Sequence, residues 1–230
     1  MKKILFTLLA SSYLLLANTL PNAITTTISN VTSNGEIELS SNIPAGMSGI
    51  IIHNYGNKLV AITHSTTSLG GTKASTASYR AILHENIPNI QTKVEKGDKV
   101  IFGNFYQNAL IIAPNQEVYR AITKNFKRSW VHPDLYALAF MKDGETRLSL
   151  DHLQNFAQHN QVGLILISTK NKLLILDPIS KQFLGSIPMQ LKNSEAMTPF
   201  YARFKQMDIS TFGFSKKSYT PYYESVAGVQ

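Results

Sequence analysis

The 230-residue sequence contains no cysteine. That absence excludes disulfides, thiolate metal ligands, a cysteine nucleophile and a lipid-modified N-terminal cysteine. Acids are scarce, 14 against 22 lysines and arginines, and there is a single tryptophan, Trp130. The closest acids, Asp134, Asp143, Glu145 and Asp151, are not spaced as an acid–base dyad. None of the six histidines falls in a zinc-binding spacing. His152 and His159 share one predicted helix face but would need a third ligand from elsewhere. No Gly-x-Ser-x-Gly elbow occurs. Ser68-Leu69-Gly70-Gly71-Thr72-Lys73 lacks the Walker spacing and reads as a flexible loop between strands. No residue is therefore nominated as catalytic, cofactor-binding or metal-binding, and no cofactor is expected. Trp130 is assigned to packing.

Long apolar runs are also missing. The one candidate, Ile4 to Leu16, is shorter than the ~20 residues a membrane-spanning helix needs. It follows Lys2 and Lys3 and precedes Ala17 and the helix-breaking Asn18-Thr19-Leu20-Pro21. A basic start, a short apolar core and a small residue make a cleavable secretory signal over residues 1–17. Export is thus the first functional expectation.

Of the net charge of +8, two charges sit in this leader, so +6 remains on the rest. The excess is spread thinly and forms no basic arm, so nucleic acid is not expected as a partner. A mildly basic exported surface favours anionic partners such as lipid headgroups, peptidoglycan or acidic proteins. With 43% hydrophobic residues, the chain can bury a core without disulfides.

The apolar pattern predicts an α+β protein. Residues 24–113 read as short strands with tight turns, a small antiparallel β-barrel or sandwich. Ile24–Val31 and Glu36–Leu39 flank Asn34-Gly35, while Gly49–Tyr55 and Lys58–His64 flank Gly56-Asn57. Thr76–Leu83, Lys99–Phe105 and Ala109–Ala113 follow. Residues 114–190 read as a helix-plus-sheet domain. Its helices are Asn115–Phe126, Pro133–Met141 and one capped by Ser149. Its strands are Val162–Ser168, Lys172–Asp177 and Phe183–Ile187. Residues 191–230 lack periodicity and form an aromatic-rich, partly docked tail.

Several segments carry a resemblance in common order: Ile43-Pro44-Ala45-Gly46-Met47-Ser48-Gly49-Ile50-Ile51-Ile52-His53, Gly97-Asp98-Lys99-Val100-Ile101-Phe102, Ala109-Leu110-Ile111-Ile112-Ala113-Pro114-Asn115, Ile122-Thr123-Lys124-Asn125-Phe126, Trp130-Val131-His132-Pro133-Asp134-Leu135 and Asn160-Gln161-Val162-Gly163-Leu164-Ile165. Across roughly Ile24 to Pro188 the chain resembles the N-terminal domain family of plasminogen-binding protein A, a bacterial cell-envelope protein. The resemblance implies a non-enzymatic envelope or surface protein, in the periplasm or at the outer-membrane surface of a Gram-negative cell, whose partner is host plasminogen. Kringle domains hold a lysine ammonium with carboxylates and its methylenes with aromatic rings. The final residues, Ala227-Gly228-Val229-Gln230, offer no lysine, so the expectation falls on internal lysines beside acids. These are Lys93, Lys96 and Lys99, near Glu95 and Asp98, and Lys142, before Asp143 and Glu145. The alternative is a periplasmic structural or scaffold module, of the envelope or a flagellar motor, that contacts other envelope proteins.

Overall fold

The computed structural model describes residues 19–32, 35–79, 92–190, 195–203, 215–217 and 219–229. The signal peptide expected over residues 1–17 lies outside them, as does the part of the predicted strand Thr76–Leu83 beyond Tyr79. Among the described residues no helix is long and apolar enough to cross a membrane.

Five strands form the first unit: β1 (Ile24–Val31), β2 (Glu36–Ile43), β3 (Ser48–Gly56), β4 (Leu59–Ser78) and β5 (Lys99–Phe102). They pair antiparallel in the order β1-β2-β4-β3-β5, and β5 pairs back onto β1 to close a barrel. Alternation drives the closure. Along β2, Ile37, Leu39 and Ile43 turn inward while Glu36 and Glu38 face solvent.

Two local expectations are corrected here. Ser68–Lys73 is not a loop but part of β4, which pairs with β3 through its first half and with β2 through its second. The change of partner falls at Gly70 (φ +99°) and Gly71 (φ +62°), where the strand bends around the barrel corner. The β3–β4 turn is Asn57-Lys58, one residue later than expected. Both central residues have positive φ, +49° and +66°, as a type I′ turn requires. Asn57 tolerates that region, and Lys58 accepts it at a cost of ~1 kcal/mol.

The second sheet contains β6 (Asn108–Ile112), β7 (Ser129–Val131), β8 (Leu164–Ser168), β9 (Lys172–Asp177) and β10 (Gln182–Pro188), in the order β10-β9-β8-β6-β7. The strand expected over Ala109–Ala113 belongs here rather than to the barrel. Strands β6, β7 and β8 run parallel, joined by α1 (Gln116–Asn125), α2 (Pro133–Lys142) and α3 (Leu150–Asn160). Side chains of Asn115, His132 and Ser149 cap the three helices by accepting backbone N–H bonds in their first turns. Both faces of this sheet are covered, which is why β6, β8 and β9 read as unbroken apolar runs. Leu110, Ile112, Ile165, Ile167, Leu174 and Leu176 pack on α2 and α3. Ala109, Ile111, Leu164, Leu166, Leu173 and Ile175 pack on α1 and on the barrel residues Ile51, Val100 and Phe102. Trp130 packs at the margin of the same cluster.

The described parts of the tail include regular elements. A short strand β11 (Ala196–Thr198) pairs with β12 (Ser215–Lys217), and α4 (Tyr219–Ala227) buries Tyr222 and Val226 against the α2–α3 side.

Candidate functional site

In open α/β sheets, ligands bind beyond the carboxyl ends of parallel strands, where strand order reverses. Here that point is β6, flanked by β7 on one side and β8 on the other. The crevice is filled by the chain itself. Met197 N–H donates to Pro114 O and Tyr201 N–H to Ala113 O, both at 2.7 Å. The buried Tyr222 hydroxyl lies 3.2 Å from Ile112 O and 3.0 Å from Ser168 O, so its one hydrogen is shared between the two strand ends. Arg203 closes the edge. Its backbone N–H donates to Asp134 Oδ1 at 2.7 Å and its Nε–H to Oδ2 at 2.9 Å. Tyr119, Tyr201 and His132 pack as a tilted aromatic group around this ion pair. Burial raises both tyrosine hydroxyls and lowers His132. The arrangement fastens the tail and leaves the sheet's usual ligand position occupied.

A second polar constellation joins the barrel to the sheet. Asp177, at the end of β9, is fully buried. Its Oδ2 accepts from Ser48 N–H, Ser48 Oγ–H and the Tyr106 hydroxyl, each at 2.7 Å. Its Oδ1 accepts from Ile179 N–H at 2.9 Å and Ser180 N–H at 3.1 Å. Burial, then the adjacent carboxylate charge, pushes the Tyr106 hydroxyl far above the usual phenol range, so it stays a donor. Ser48 opens β3 and Tyr106 precedes β6, so one carboxylate ties three elements together.

A third lies on α2 and α3. His152 Nε2 is 3.0 Å from Asp143 Oδ2 and its Nδ1 is 3.1 Å from the Tyr136 hydroxyl. The Asp–His–Tyr order suggests a proton relay, but it ends in the core, because Tyr136 is fully buried among Phe140, Phe156 and Phe200. His159, expected to share a face with His152, is exposed and bonded to Asn155 O. Among the described residues, no group of three or more His, Asp or Glu is placed to hold a metal ion.

The four nominated lysines fall into two places. Lys93, Lys96 and Lys99 are exposed along the approach to β5, at the barrel. Lys142 is the exposed last residue of α2, on the opposite face of the second sheet. Their acidic neighbours are partly engaged. Asp98 is buried, 2.7 Å from His53 Nδ1, and accepts from Glu95 N–H at 2.9 Å. Asp143 is exposed but held by His152, and Glu95 is exposed. Sequence reasoning missed the Asp177 junction and the Asp134–Arg203 clamp. The only signal for Asp177 was an acid closing the apolar run Leu173-Leu174-Ile175-Leu176.

The family model described as "Plasminogen-binding protein pgbA N-terminal" matches residues 23–227. A plasminogen-binding protein PgbA from Helicobacter pylori strain 26695 is 30% identical over 162 residues, 66% of this chain and 35% of that protein. The protein of the same name from strain J99 is 28% identical over 164 residues, 68% of this chain and 36% of that protein. The chain thus spans about a third of the length of these curated relatives. No solved structure matches. The match runs from just before β1 to the end of α4, taking in barrel, sheet and docked tail alike, and this chain belongs to the plasminogen-binding protein pgbA N-terminal family.

Proposed function

We propose that this chain is an exported, non-enzymatic envelope or surface protein that binds host plasminogen through lysine side chains. The family match over residues 23–227 carries this reading. The geometry is consistent with a binding rather than a catalytic role. The crevice at the ends of β6 and β8 is closed by the chain's own tail, and the polar clusters around Asp177 and His152 face inward. What remains for a partner is surface. There the exposed ammonium groups of Lys93, Lys96, Lys99 and Lys142 are the chemistry a kringle reads. Glu95 lies two residues from Lys93 and one from Lys96, and is the exposed acid able to complete a lysine-plus-carboxylate pair.

Surface plasmon resonance with plasminogen, with and without a lysine analogue, tests the proposal. Binding that the analogue abolishes is the expected result. Replacing Lys93, Lys96 and Lys99 together by glutamine, and separately Lys142 by glutamine, assigns the contact to one group or the other. Absence of analogue-sensitive binding at micromolar plasminogen would sink the proposal.

A further inference from the structure

The crown of the β3–β4 hairpin carries a cluster of exposed apolar side chains. Residues 54–60 are all exposed. Three of them are large and apolar: Tyr55 is 43% exposed, Leu59 62% and Val60 57%. Single exposed apolar residues are ordinary, but a cluster at one projecting turn is not. Leu59 and Val60 are consecutive in β4, so they point to opposite faces of the hairpin. A protein partner docking on one face would cover one of them and leave the other in water. A medium that is apolar on every side of the tip satisfies both.

The polar groups fit the same medium. Lys58 stands exposed in the turn itself, with φ +66°. Lys99 is paired with Ile52 on β3, and the chain before it runs back along the hairpin. Asp98 meets His53, and the Thr92 hydroxyl bonds the Tyr55 hydroxyl. Lys99 therefore flanks the hairpin beside Ile52, where Asp98 is already engaged, and Lys93 follows Thr92 at Tyr55. Exposed apolar side chains at a tip, with lysines in the turn and along one flank and a tyrosine beside them, match the mixed apolar and cationic chemistry that an anionic bilayer surface takes up.

We propose that the β3–β4 hairpin docks on anionic lipid, with Leu59 and Val60 entering the headgroup–acyl boundary and the barrel lysines on the headgroups. A bilayer seated there leaves Lys142, across the second sheet, open to solvent.

The test is co-sedimentation of the full chain, recovered after export, with vesicles of phosphatidylcholine alone or mixed with phosphatidylglycerol. Binding is expected to the mixed vesicles and to weaken with salt. The double variant Leu59→Ser/Val60→Ser is expected to lose about tenfold or more in partitioning. The pair Leu135→Ser/Leu138→Ser removes similarly exposed apolar groups from α2 and is expected to leave partitioning unchanged. Because the chain has no cysteine, Val60→Cys and Leu138→Cys each give one labelling site for an environment-sensitive dye. A blue shift on mixed vesicles at position 60 and none at 138 is the predicted pattern. No binding, equal binding to both vesicle types, full binding by the Leu59→Ser/Val60→Ser variant, or no shift at position 60 would each overturn the proposal. So would a tip variant that loses a protein partner while keeping its vesicle binding.

Discussion

Asp177 is the residue on which the barrel–sheet contact turns. A fully buried carboxylate is tolerated only when its lone pairs are satisfied, and here five donors reach it. Truncating it strands all five, so Asp177→Ala is expected to cost ~3–5 kcal/mol in chemical denaturation. Tyr106→Phe removes a single donor and is expected to cost ~1–2 kcal/mol. A loss below that of Tyr106→Phe for Asp177→Ala would contradict the account. Gly163 is required near the same junction for a different reason. A Cβ there would lie 2.3 Å from the Phe105 carbonyl carbon, which is backbone that cannot move aside cheaply. Of these residues, Asp177 was the least legible in the sequence. Its partners Ser48 and Tyr106 lie 129 and 71 positions away, and no local pattern encodes such contacts.

At the scale of elements, the helices were the readable part. Pro133 at the first turn and Ser149 at a cap were visible in the sequence and are found there. Strand β9 was expected over the residues it occupies, since an apolar run ending in turn residues has few other solutions. The errors came where glycine serves two purposes. Gly70 and Gly71 signal a loop, yet here they bend a continuous strand at a barrel corner. The turn Asn57-Lys58 was displaced by one because Gly56, the better turn former, ends β3. His132 carries the pH prediction of this scale. Its Nδ1 accepts the Asp134 N–H at 3.2 Å, which requires that nitrogen to be unprotonated. Burial lowers His132, with the Asp134 charge opposing. The unfolded chain therefore takes up the proton first as pH falls through the ordinary histidine value of 6.5, and stability drops on the acid side. His64 acts in the same direction, again mainly through burial. Asn caps helices as well as any residue and does not titrate here. His132→Asn is expected to keep the helix and reduce the loss in urea midpoint between about pH 7 and about pH 5. An unchanged pH slope would show that the cap does not titrate.

At the scale of the whole molecule, one sheet serves two cores. Its helix-facing side chains pack with α2, α3 and the tail, and its other side chains complete the barrel's core. The sequence announced both parts, because strand alternation and helical periodicity are local signals. It did not announce that Ala109–Ile112 belongs to the second sheet, since pairing between β6 and β8 joins residues more than fifty apart. Nor did it reveal where Met197, Tyr201 and Tyr222 dock, since hydrogen bonds to strand ends and not periodicity hold them. The surface tells the same story for function. Lys93, Lys96 and Lys99 were legible as lysines near acids, but the burial of Asp98 under His53 was not. The central claim joins export, surface display and plasminogen binding, and one measurement addresses all three. Intact cells with and without this chain are incubated with plasminogen, in the presence and absence of a lysine analogue, and the retained plasminogen is quantified. Retention that depends on the chain and is removed by the analogue is the predicted result. Equal retention by cells lacking the chain, or retention that the analogue does not disturb, would contradict it.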